Sequence, residues 1–502
     1  DVDLGPGTGL LRVTARIALP AGAKPEFLLN AALKVTKAVP AVSEVPLGDV
    51  AAFFGNNGAA EEPSRRAPLK RYRAKGAPAE LTLAYEGVVR NELTAPKEEY
   101  QRGFRETTGT IGPEGVYLAG NTFWLPSFGE ALVKFRMAAK APAGWQLVSQ
   151  GDGTARGADG VARWDSKGPV DEAYLVGGPL QVWRDRAGDV ETLAFLHEKD
   201  DALAAKYLAA TAQYLEMYRA LIGPYPYGKF ALVENFWETG YGMASFTLLG
   251  PQVIRFPFIL TSSYPHEILH NWWGNSVFVD YAKGNWCEGL TAYLADHLIQ
   301  EQRGKGEEYR RGTLQKYLSY VREGRDFPLT EFRGRESAAT EAVGYGKALM
   351  GFHMVRRHVG DAAFRKTLAR FYTDFRGKRA TFDDFRATAE AVSGKPLAWL
   401  FDGWVKRAGA AELVLGPATV ARDGEKWKVT GTLRQVQKDA PFPLEVPLSV
   451  VTEKGTVRHV ARLEGAEARF EIATDAPPLS LAADPQFDLF RKLDPREIPP
   501  SI

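Results

Sequence analysis

Residues 263–299 read SYPHEILHNWWGNSVFVDYAKGNWCEGLTAYLADHLI, and the interpretation of the whole sequence starts from this stretch. Ser262 or Ser263 can act as a helix N-cap, and Pro265 suits a first helical turn. Gly274 ends the run. The stretch therefore predicts a short helix that begins near Ser263 and stops before Gly274.

Two histidines lie on this predicted helix at a spacing that metal sites use. His266 and His270 are four residues apart and project from the same face, so both imidazoles can bind one metal ion. Glu267 then lies near the metal without having to bind it. Zinc sites in peptidases commonly add a carboxylate from a following helix and keep the fourth position for water, and Glu288 is placed to supply that carboxylate.

The segment that starts at Glu288 has the spacing of a second helix, with Leu290, Leu294 and Leu298 four residues apart. With seven histidines in 502 residues, a chance HExxH pattern arises in on the order of one in a hundred chains. The competing interpretation makes His266 and His270 core histidines with satisfied hydrogen bonds. In that interpretation Glu288 binds no metal, and its negative charge is stabilised by the dipole at a helix N-terminus.

Composition places the chain among ordinary globular proteins, with 45% hydrophobic and 25% charged residues. A formal net charge of +2 does not favour nucleic acid as a partner.

No apolar run approaches the roughly 20 residues that span a bilayer. The single cysteine, Cys287, excludes an internal disulfide framework. Because the sequence opens at Asp1 without Met, we predict export with a signal peptide removed, and a cytoplasmic protein is the alternative.

Hydrophobic periodicity changes twice along the chain and predicts three domains in an α+β multidomain fold. Short alternating segments such as LLRVTARIAL (10–19) predict an N-terminal β domain over 1–188. Longer helical patterns such as LAAKYLAATAQYLEMYRALIG (203–223) predict a mostly helical domain over 189–410. Alternation returns in KWKVTGTLRQ (426–435), which predicts a small β domain over 411–502.

The chain resembles the aminopeptidase N family of zinc metallopeptidases, in which HExxH is followed by a distant Glu and a WxGN segment. Beyond WWGN (272–275), the matching segments, in family order, are GPYPYGKFALVE (223–234), TGYGMASFTLLG (239–250), YGKA (345–348) and FDGWVKRAGAAEL (401–413). The resemblance implies a saddle-like N-terminal β domain, a thermolysin-like catalytic domain and a C-terminal β-sandwich. It covers residues 190–415 most closely.

The resemblance also implies roles for individual residues. His266, His270 and Glu288 would hold one zinc ion per chain. Glu267 would be the general base, and Tyr345 would stabilise the oxyanion of the tetrahedral intermediate.

One departure from the family affects substrate recognition. The GxMEN signature, whose Glu binds the free amine of the substrate, is represented by residues 241–245, where Ala244 replaces that Glu. Glu238 is a candidate replacement. Gly242 and Met243 belong to a strand that could pair with an extended peptide.

These residues predict a zinc metallopeptidase that hydrolyses peptide bonds by metal-activated water, aminopeptidase-like but with atypical recognition of the N-terminus. Ala244 keeps two alternatives open: an endopeptidase on the same scaffold, and a peptide-binding module without turnover. A hydrolase of non-peptide substrates is a further option. Peptides or unfolded protein segments are the expected partners, and the oligomeric state is left open.

Overall fold

The alternation seen in the N-terminal sequence forms strands because one face of each sheet is buried. In the strand Leu10–Ala18, for example, Leu11 and Val13 point into the core while Arg12 and Thr14 face solvent. The computed structural model describes residues 1–20, 22, 25–54, 66–95, 104–129, 131–153, 157, 159–322 and 325–498. The chain divides into two units, which are Asp1–Phe278 with Phe375–Arg379, and Val279–Asp374 with Ala380–Ile502.

The first unit begins with thirteen described strands and one short helix, α1 (Ala51–Phe54). The strands are β1 (Val2–Gly5), β2 (Leu10–Ala18), β3 (Glu26–Asn30), β4 (Lys34–Val39), β5 (Val42–Val45), β6 (Leu69–Ala74), β7 (Glu80–Val88), β8 (Thr110–Ile111), β9 (Val116–Leu118), β10 (Arg136–Lys140), β11 (Gln146–Val148), β12 (Val161–Asp165) and β13 (Leu175–Gly178). Three sheets result, in the orders β12-β10-β1-β2-β7-β4, β11-β13-β9-β8 and β3-β6-β5.

The same unit continues with a five-stranded mixed sheet that carries the site. Its elements are β14 (Gln181–Ala187), β15 (Val190–Leu196), α2 (Asp201–Leu221), β16 (Lys229–Glu234), β17 (Gly240–Met243), β18 (Phe246–Leu249) and α3 (Ser263–Leu269). The strand order is β14-β15-β16-β18-β17, so β17 stands at one end. Strands β15, β16 and β18 are parallel, and β17 turns back antiparallel to β18.

Helix α2 links two parallel strands and follows its sequence signals. Asp200 is the N-cap, and its side chain accepts a hydrogen bond from the backbone N–H of Leu203 at 2.9 Å. The buried residues of α2 recur at three- and four-residue intervals, which gives one apolar face: Ala204, Tyr207, Leu208, Thr211, Tyr214, Leu215 and Tyr218.

The second unit holds most of the helices and a C-terminal β region. Its strands and helices are α4 (Cys287–Ala292), α5 (Leu298–Gln302), α6 (Gly306–Tyr320), α7 (Ala338–Glu341), α8 (Ala348–Val359), α9 (Asp361–Phe375), α10 (Phe382–Ser393), α11 (Ala398–Trp404), β21 (Ala411–Leu415), β22 (Thr419–Asp423), β23 (Lys426–Gln435), β24 (Leu444–Thr452), β25 (Gly455–Leu463), β26 (Glu467–Thr474), β27 (Pro478–Ala483) and β28 (Arg491–Lys492). Two-residue strands β19 (Phe278–Val279) and β20 (Arg379–Ala380) lie at the unit boundaries. Tyr293–His297 and Ala342–Lys347 are π-helical.

The predicted order of a β-rich region, a helical region and a second β-rich region is confirmed. The C-terminal region has one sheet built on β22-β23-β21-β28, with β26 also on β23, and another of order β25-β24-β27. The β14–β15 hairpin spans the predicted boundary at residue 188, and the two boundaries between the three predicted domains remain predictions. In the described part of the chain, no helix combines the length and the apolarity that crossing a membrane requires.

Candidate metal centre and active site

Helix α3 forms where the sequence predicts it and packs its apolar residues inward. Tyr264, Pro265, Ile268 and Leu269 are buried, and Tyr264 shares a 2.5 Å hydrogen bond between its hydroxyl and that of Thr211 on α2. The expected side-chain cap is wrong. Ser262 occupies the N-cap position, but its hydroxyl donates to the carbonyl of Phe258 at 2.9 Å instead of accepting from the helix.

The two histidines of α3 stand on one half-buried face. Their ring centroids are 4.8 Å apart with the ring planes at 74°. Nδ1 of His270 lies 3.1 Å from the carbonyl oxygen of Trp273, which is fully buried. A carbonyl only accepts, so this contact places the proton on Nδ1 and leaves Nε2 of His270 as the metal-binding nitrogen.

Glu288 lies in the first turn of α4, as predicted, and joins the two histidines. One ligand atom from each of His266, His270 and Glu288 lies within 4.8 Å of the others, and all three residues are half-buried. Among the described residues, this is the one group of three or more His, Cys, Asp or Glu side chains with that geometry.

The donor set fits zinc. Imidazole nitrogens and carboxylate oxygens bind zinc at about 2.0–2.2 Å. Two neutral imidazoles and one carboxylate are a common ligand set of catalytic zinc and leave one position for water. Cys287, beside Glu288, is buried, and its sulfur lies 3.8 Å from the hydroxyl oxygen of Thr291.

Glycine at position 289 lets the helix that carries Glu288 pack closely. A Cβ atom placed on Gly289 would lie 2.2 Å from the Cβ of Ala348, the first residue of α8. No side chain fits there without moving α4. The position of the Glu288 carboxylate thus depends on the absence of a side chain at its neighbour.

Glu267 reaches the backbone of strand β17. A Cβ atom placed on Gly242 would lie 2.3 Å from Oε2 of Glu267 and 3.3 Å from its Cα. At Gly242, therefore, the end strand of the sheet comes so close to the HExxH helix that a side chain would collide with Glu267. The candidate general base lies directly against the strand that is predicted to bind substrate.

The other candidate substrate residues lie in different surroundings. Met243 and Ala244 are each 3% exposed, and Met243 packs into the hydrophobic core beneath the sheet. The carboxylate of Glu238 accepts hydrogen bonds from the backbone N–H groups of Gln252 at 2.8 Å and Val253 at 3.4 Å. These bonds hold the loop after β18, and a contact of Glu238 with substrate remains a prediction.

Tyr345 lies in the π-helical stretch Ala342–Lys347, which packs against α4. The residue is half-buried, and its ring makes an edge contact with Phe332 at a centroid distance of 6.0 Å. Stretches of π-helix are frequent at functional sites because the extra residue redirects a side chain. The predicted role of Tyr345 toward an oxyanion remains a prediction.

Residues 261–404 match the family model described as the peptidase family M1 domain. The match covers the HExxH helix and the helix that carries Glu288. The resemblance to the aminopeptidase N family of zinc metallopeptidases is thereby confirmed. The matched residues include all three predicted metal ligands, Glu267 and Tyr345.

Relatives of the M1 domain share limited identity with this chain. Mitochondrial aminopeptidase 2 of Saccharomyces cerevisiae is 28% identical over 152 residues, 29% of this chain and 16% of the relative. Aminopeptidase M1 of Arabidopsis thaliana is 27% identical over 150 residues, 29% of this chain and 17% of the relative. The match thus spans about a sixth of the length of these relatives.

Structural similarity extends further along the chain than sequence similarity. The structure of an M1 zinc metallopeptidase from Deinococcus radiodurans superposes with a TM-score of 0.61 at 18% identity. The superposition covers 81% of this chain and 92% of that one. At this identity the likeness establishes a common fold, which agrees with the fold class predicted from the sequence.

Sequence reasoning missed two contacts of the M1 domain. The group that orients His270 is the backbone carbonyl of Trp273. Every residue type has such a carbonyl, so the sequence does not mark this contact. Gly242 was expected in a substrate strand, but not as the contact point for Glu267. The available signal was the pair of glycines in GYG (240–242), since glycine within a strand often marks close backbone approach.

Replacing Gly242 with Ala tests the approach of β17 to Glu267. The new methyl group would displace the carboxylate, so we expect at least a tenfold loss of peptidase kcat/KM with zinc content retained. Gly240→Ala is the matched control, because a Cβ at Gly240 meets no atom within 4 Å. Equal activity of the two variants would contradict the described contact.

Replacing Gly289 with Ala tests whether close helix packing positions Glu288. Overpacking against Ala348 should lower the free energy of unfolding by about 1–3 kcal/mol and weaken zinc affinity, measured by chemical denaturation and competition with a chelator. Gly312→Ala, in α6, adds a methyl group with no atom within 4 Å. This control should instead stabilise the protein by up to about 1 kcal/mol without changing zinc affinity.

Proposed function

We propose that this protein is a zinc-dependent metallopeptidase that hydrolyses peptide bonds, with aminopeptidase-like activity. The observation that carries the proposal is the placement of Glu267, between two histidines of one metal-ligand cluster and against the backbone of an end strand. The aminopeptidases and M1 metallopeptidases that this chain resembles support it. Peptides or unfolded protein segments are the proposed substrates.

The chain's own residues divide the chemistry among them. His266, His270 and Glu288 would hold zinc, which polarises the scissile carbonyl and makes water a stronger acid. Glu267 accepts the proton of the attacking water and delivers it to the leaving amine. Among the described residues β17 is an end strand, and its outer edge would offer backbone N–H and C=O groups to an extended peptide, a pairing that does not depend on the peptide's sequence. The Tyr345 hydroxyl donates to the developing oxyanion.

The basis of N-terminus recognition differs from the family pattern because Ala244 is buried and carries no charge. An acidic and aromatic group, consisting of Asp171, Glu172, Tyr117 and Tyr241, is our candidate for binding the substrate's ammonium. Tyr117 is 7% exposed, and its ring centroid lies 6.3 Å from that of Tyr241 in β17. Burial, Tyr241 and Glu172 raise the pKa of Tyr117 well above its usual value.

Two adjacent carboxylates give this group a preference for cations. Asp171 and Glu172 are adjacent in the chain, and the charge of Glu172 raises the pKa of the exposed Asp171 carboxyl. One oxygen of Glu172 accepts a hydrogen bond from the backbone N–H of Gly120 at 3.3 Å. An ammonium group beside this pair would offset the repulsion between the two negative charges. The proposed substrate class is therefore peptides with a free N-terminus.

One peptide mixture, offered with free and with acetylated N-termini and followed by mass spectrometry, tests this specificity. We expect stepwise loss from free ends only, and a roughly tenfold higher KM for free-ended peptides in Glu172→Gln, since a charged partner is lost. Glu216→Gln, at an exposed position on α2, should match the wild type. Internal cuts in both peptide sets would show an endopeptidase. An unchanged KM in Glu172→Gln would place the amine anchor elsewhere.

A peptide-binding module without turnover is the competing function, and Glu267→Gln separates the two. The change removes the proton acceptor and keeps the shape, so we expect kcat to fall about 100-fold or more with zinc content unchanged. Activity is measured on a fluorogenic peptide and zinc by elemental analysis. Full activity of zinc-loaded Glu267→Gln would rule out the proposed mechanism. Peptide binding by a wild-type protein that cleaves no peptide would support the binding module.

A further inference from the structure

Lys229, the first residue of β16, is a buried lysine whose charge is held by neutral groups. The residue is 1% exposed. Its Nζ donates to the carbonyl oxygens of Ser149 at 2.7 Å and Gly151 at 2.6 Å, and to Oγ of Ser245 at 2.7 Å. These bonds use all three ammonium donors. No ion pair joins Lys229 to a carboxylate among the residues that the structure describes.

The third acceptor, Ser245, lies in an unusual turn. Strands β17 and β18 form a hairpin in which Met243 pairs with Phe246, so Ala244 and Ser245 make the connection. Ser245 has φ of 66°, a left-handed conformation that is uncommon for residues other than glycine. Its Oγ also accepts a hydrogen bond from the backbone N–H of Gly151 at 3.1 Å. Side-chain bonds to Oγ thus hold the turn in a conformation that its sequence does not favour.

The turn is also joined to the HExxH helix. The backbone N–H of Ser245 donates to Oδ1 of Asn271 at 2.7 Å, and Asn271 directly follows His270. Nδ2 of Asn271 donates to the carbonyl of Ile268 inside α3 at 2.8 Å. A continuous series of hydrogen bonds therefore runs from the Lys229 ammonium through Ser245 and Asn271 to the helix that carries Glu267.

We propose that Lys229 is a positioning residue of the active site, whose ammonium fixes the turn at Ala244 and Ser245 and thereby sets the place of strand β17 against Glu267. The inference rests on the proposed function, because it assigns β17 to substrate binding. Loss of the ammonium frees Ser245 from one bond and lets the hairpin relax.

The ionisation of Lys229 gives the proposal a second observable. Burial lowers the pKa of Lys229 to about 7, while the charges of Asp152 and Glu191 act in the opposite direction. A neutral amine donates two hydrogen bonds instead of three. Raising the pH through 7 should therefore weaken substrate binding in the wild type. This part of the pH dependence of binding should be absent in a variant in which residue 229 cannot ionise.

Hydrogen bonds of the Tyr225 hydroxyl also connect β16 to Asn271, so we expect a variant that lacks the Lys229 side chain to fold. The hydroxyl of Tyr225 lies 3.0 Å from the carbonyl oxygen of Lys229 and 3.2 Å from Oδ1 of Asn271. These contacts involve the backbone of residue 229 and do not need its side chain. Lys229→Met, which keeps the length of the side chain and removes its donors, is the variant of choice.

Peptide binding and turnover by Lys229→Met test the proposal. We expect KM to rise at least fivefold with less than a threefold change in kcat, zinc still bound, and partial recovery in Lys229→Met/Ser245→Gly, because glycine favours the left-handed turn. Lys206→Met, the same substitution at an exposed lysine of α2, should behave as the wild type. A KM within twofold of the wild type in the folded, zinc-loaded variant would overturn the proposal.

Two further measurements separate the outcomes. If Lys229→Met does not fold, Ser245→Ala removes the same hydrogen bond from its other end, and an unchanged KM in that variant overturns the proposal. Binding of an uncleaved peptide to Glu267→Gln and to Glu267→Gln/Lys229→Met, followed by calorimetry, does not need turnover. Equal Kd values count against the role of Lys229, whereas absence of peptide hydrolysis by the wild type counts against the proposed function.

Discussion

The approach of strand β17 to helix α3 at Gly242 is the constraint around which the active site is arranged. Space for the Glu267 carboxylate exists because residue 242 has no side chain. Among the described residues the strand stands at the end of its sheet, with β18 as its one neighbour. The proposed general base and the strand proposed to pair with substrate thus lie together because residue 242 has no side chain.

Packing behind the helix supports the metal ligands in front of it. Tyr264, Ile268 and Leu269 bury the inner face of α3, and the bond between Tyr264 and Thr211 ties that face to α2. His266 and His270 occupy the opposite, half-buried face. Since imidazole ligands need a fixed ring orientation, the bond from His270 to the Trp273 carbonyl adds the remaining constraint.

The candidate metal ligands could be proposed from the sequence because the geometry of the histidine pair is local. Residues four apart on a helix share a face regardless of their surroundings. The leucine spacing after Glu288 predicted the helix that carries this residue. The order of β-rich and helical regions also followed from periodicity. Long-range contacts could not be predicted in this way. Lys229 and Ser149 are 80 residues apart, and the αL conformation of Ser245 contradicts its residue type.

The cap at Ser262 failed for a related reason, since a local preference competed with a contact to the preceding turn. The Ser262 hydroxyl is turned toward the carbonyl of Phe258, to which it donates, and its oxygen accepts no hydrogen bond from the N–H groups of α3. Glu238 shows the same competition, because backbone N–H groups of Gln252 and Val253 occupy a carboxylate that the sequence left free for substrate. Charge and residue type identify side chains that could cap a helix or bind substrate. Hydrogen bonds in the folded protein determine which of these side chains are already engaged elsewhere.

Zinc K-edge X-ray absorption on protein loaded with one equivalent of zinc tests the proposed ligand set. We expect one tightly bound zinc per chain, with two imidazole nitrogens and oxygen ligands at about 2.0–2.2 Å and no sulfur. A sulfur shell at about 2.3 Å, which would implicate Cys287, would contradict the assignment of His266, His270 and Glu288. So would zinc bound with equal affinity by His266→Ala.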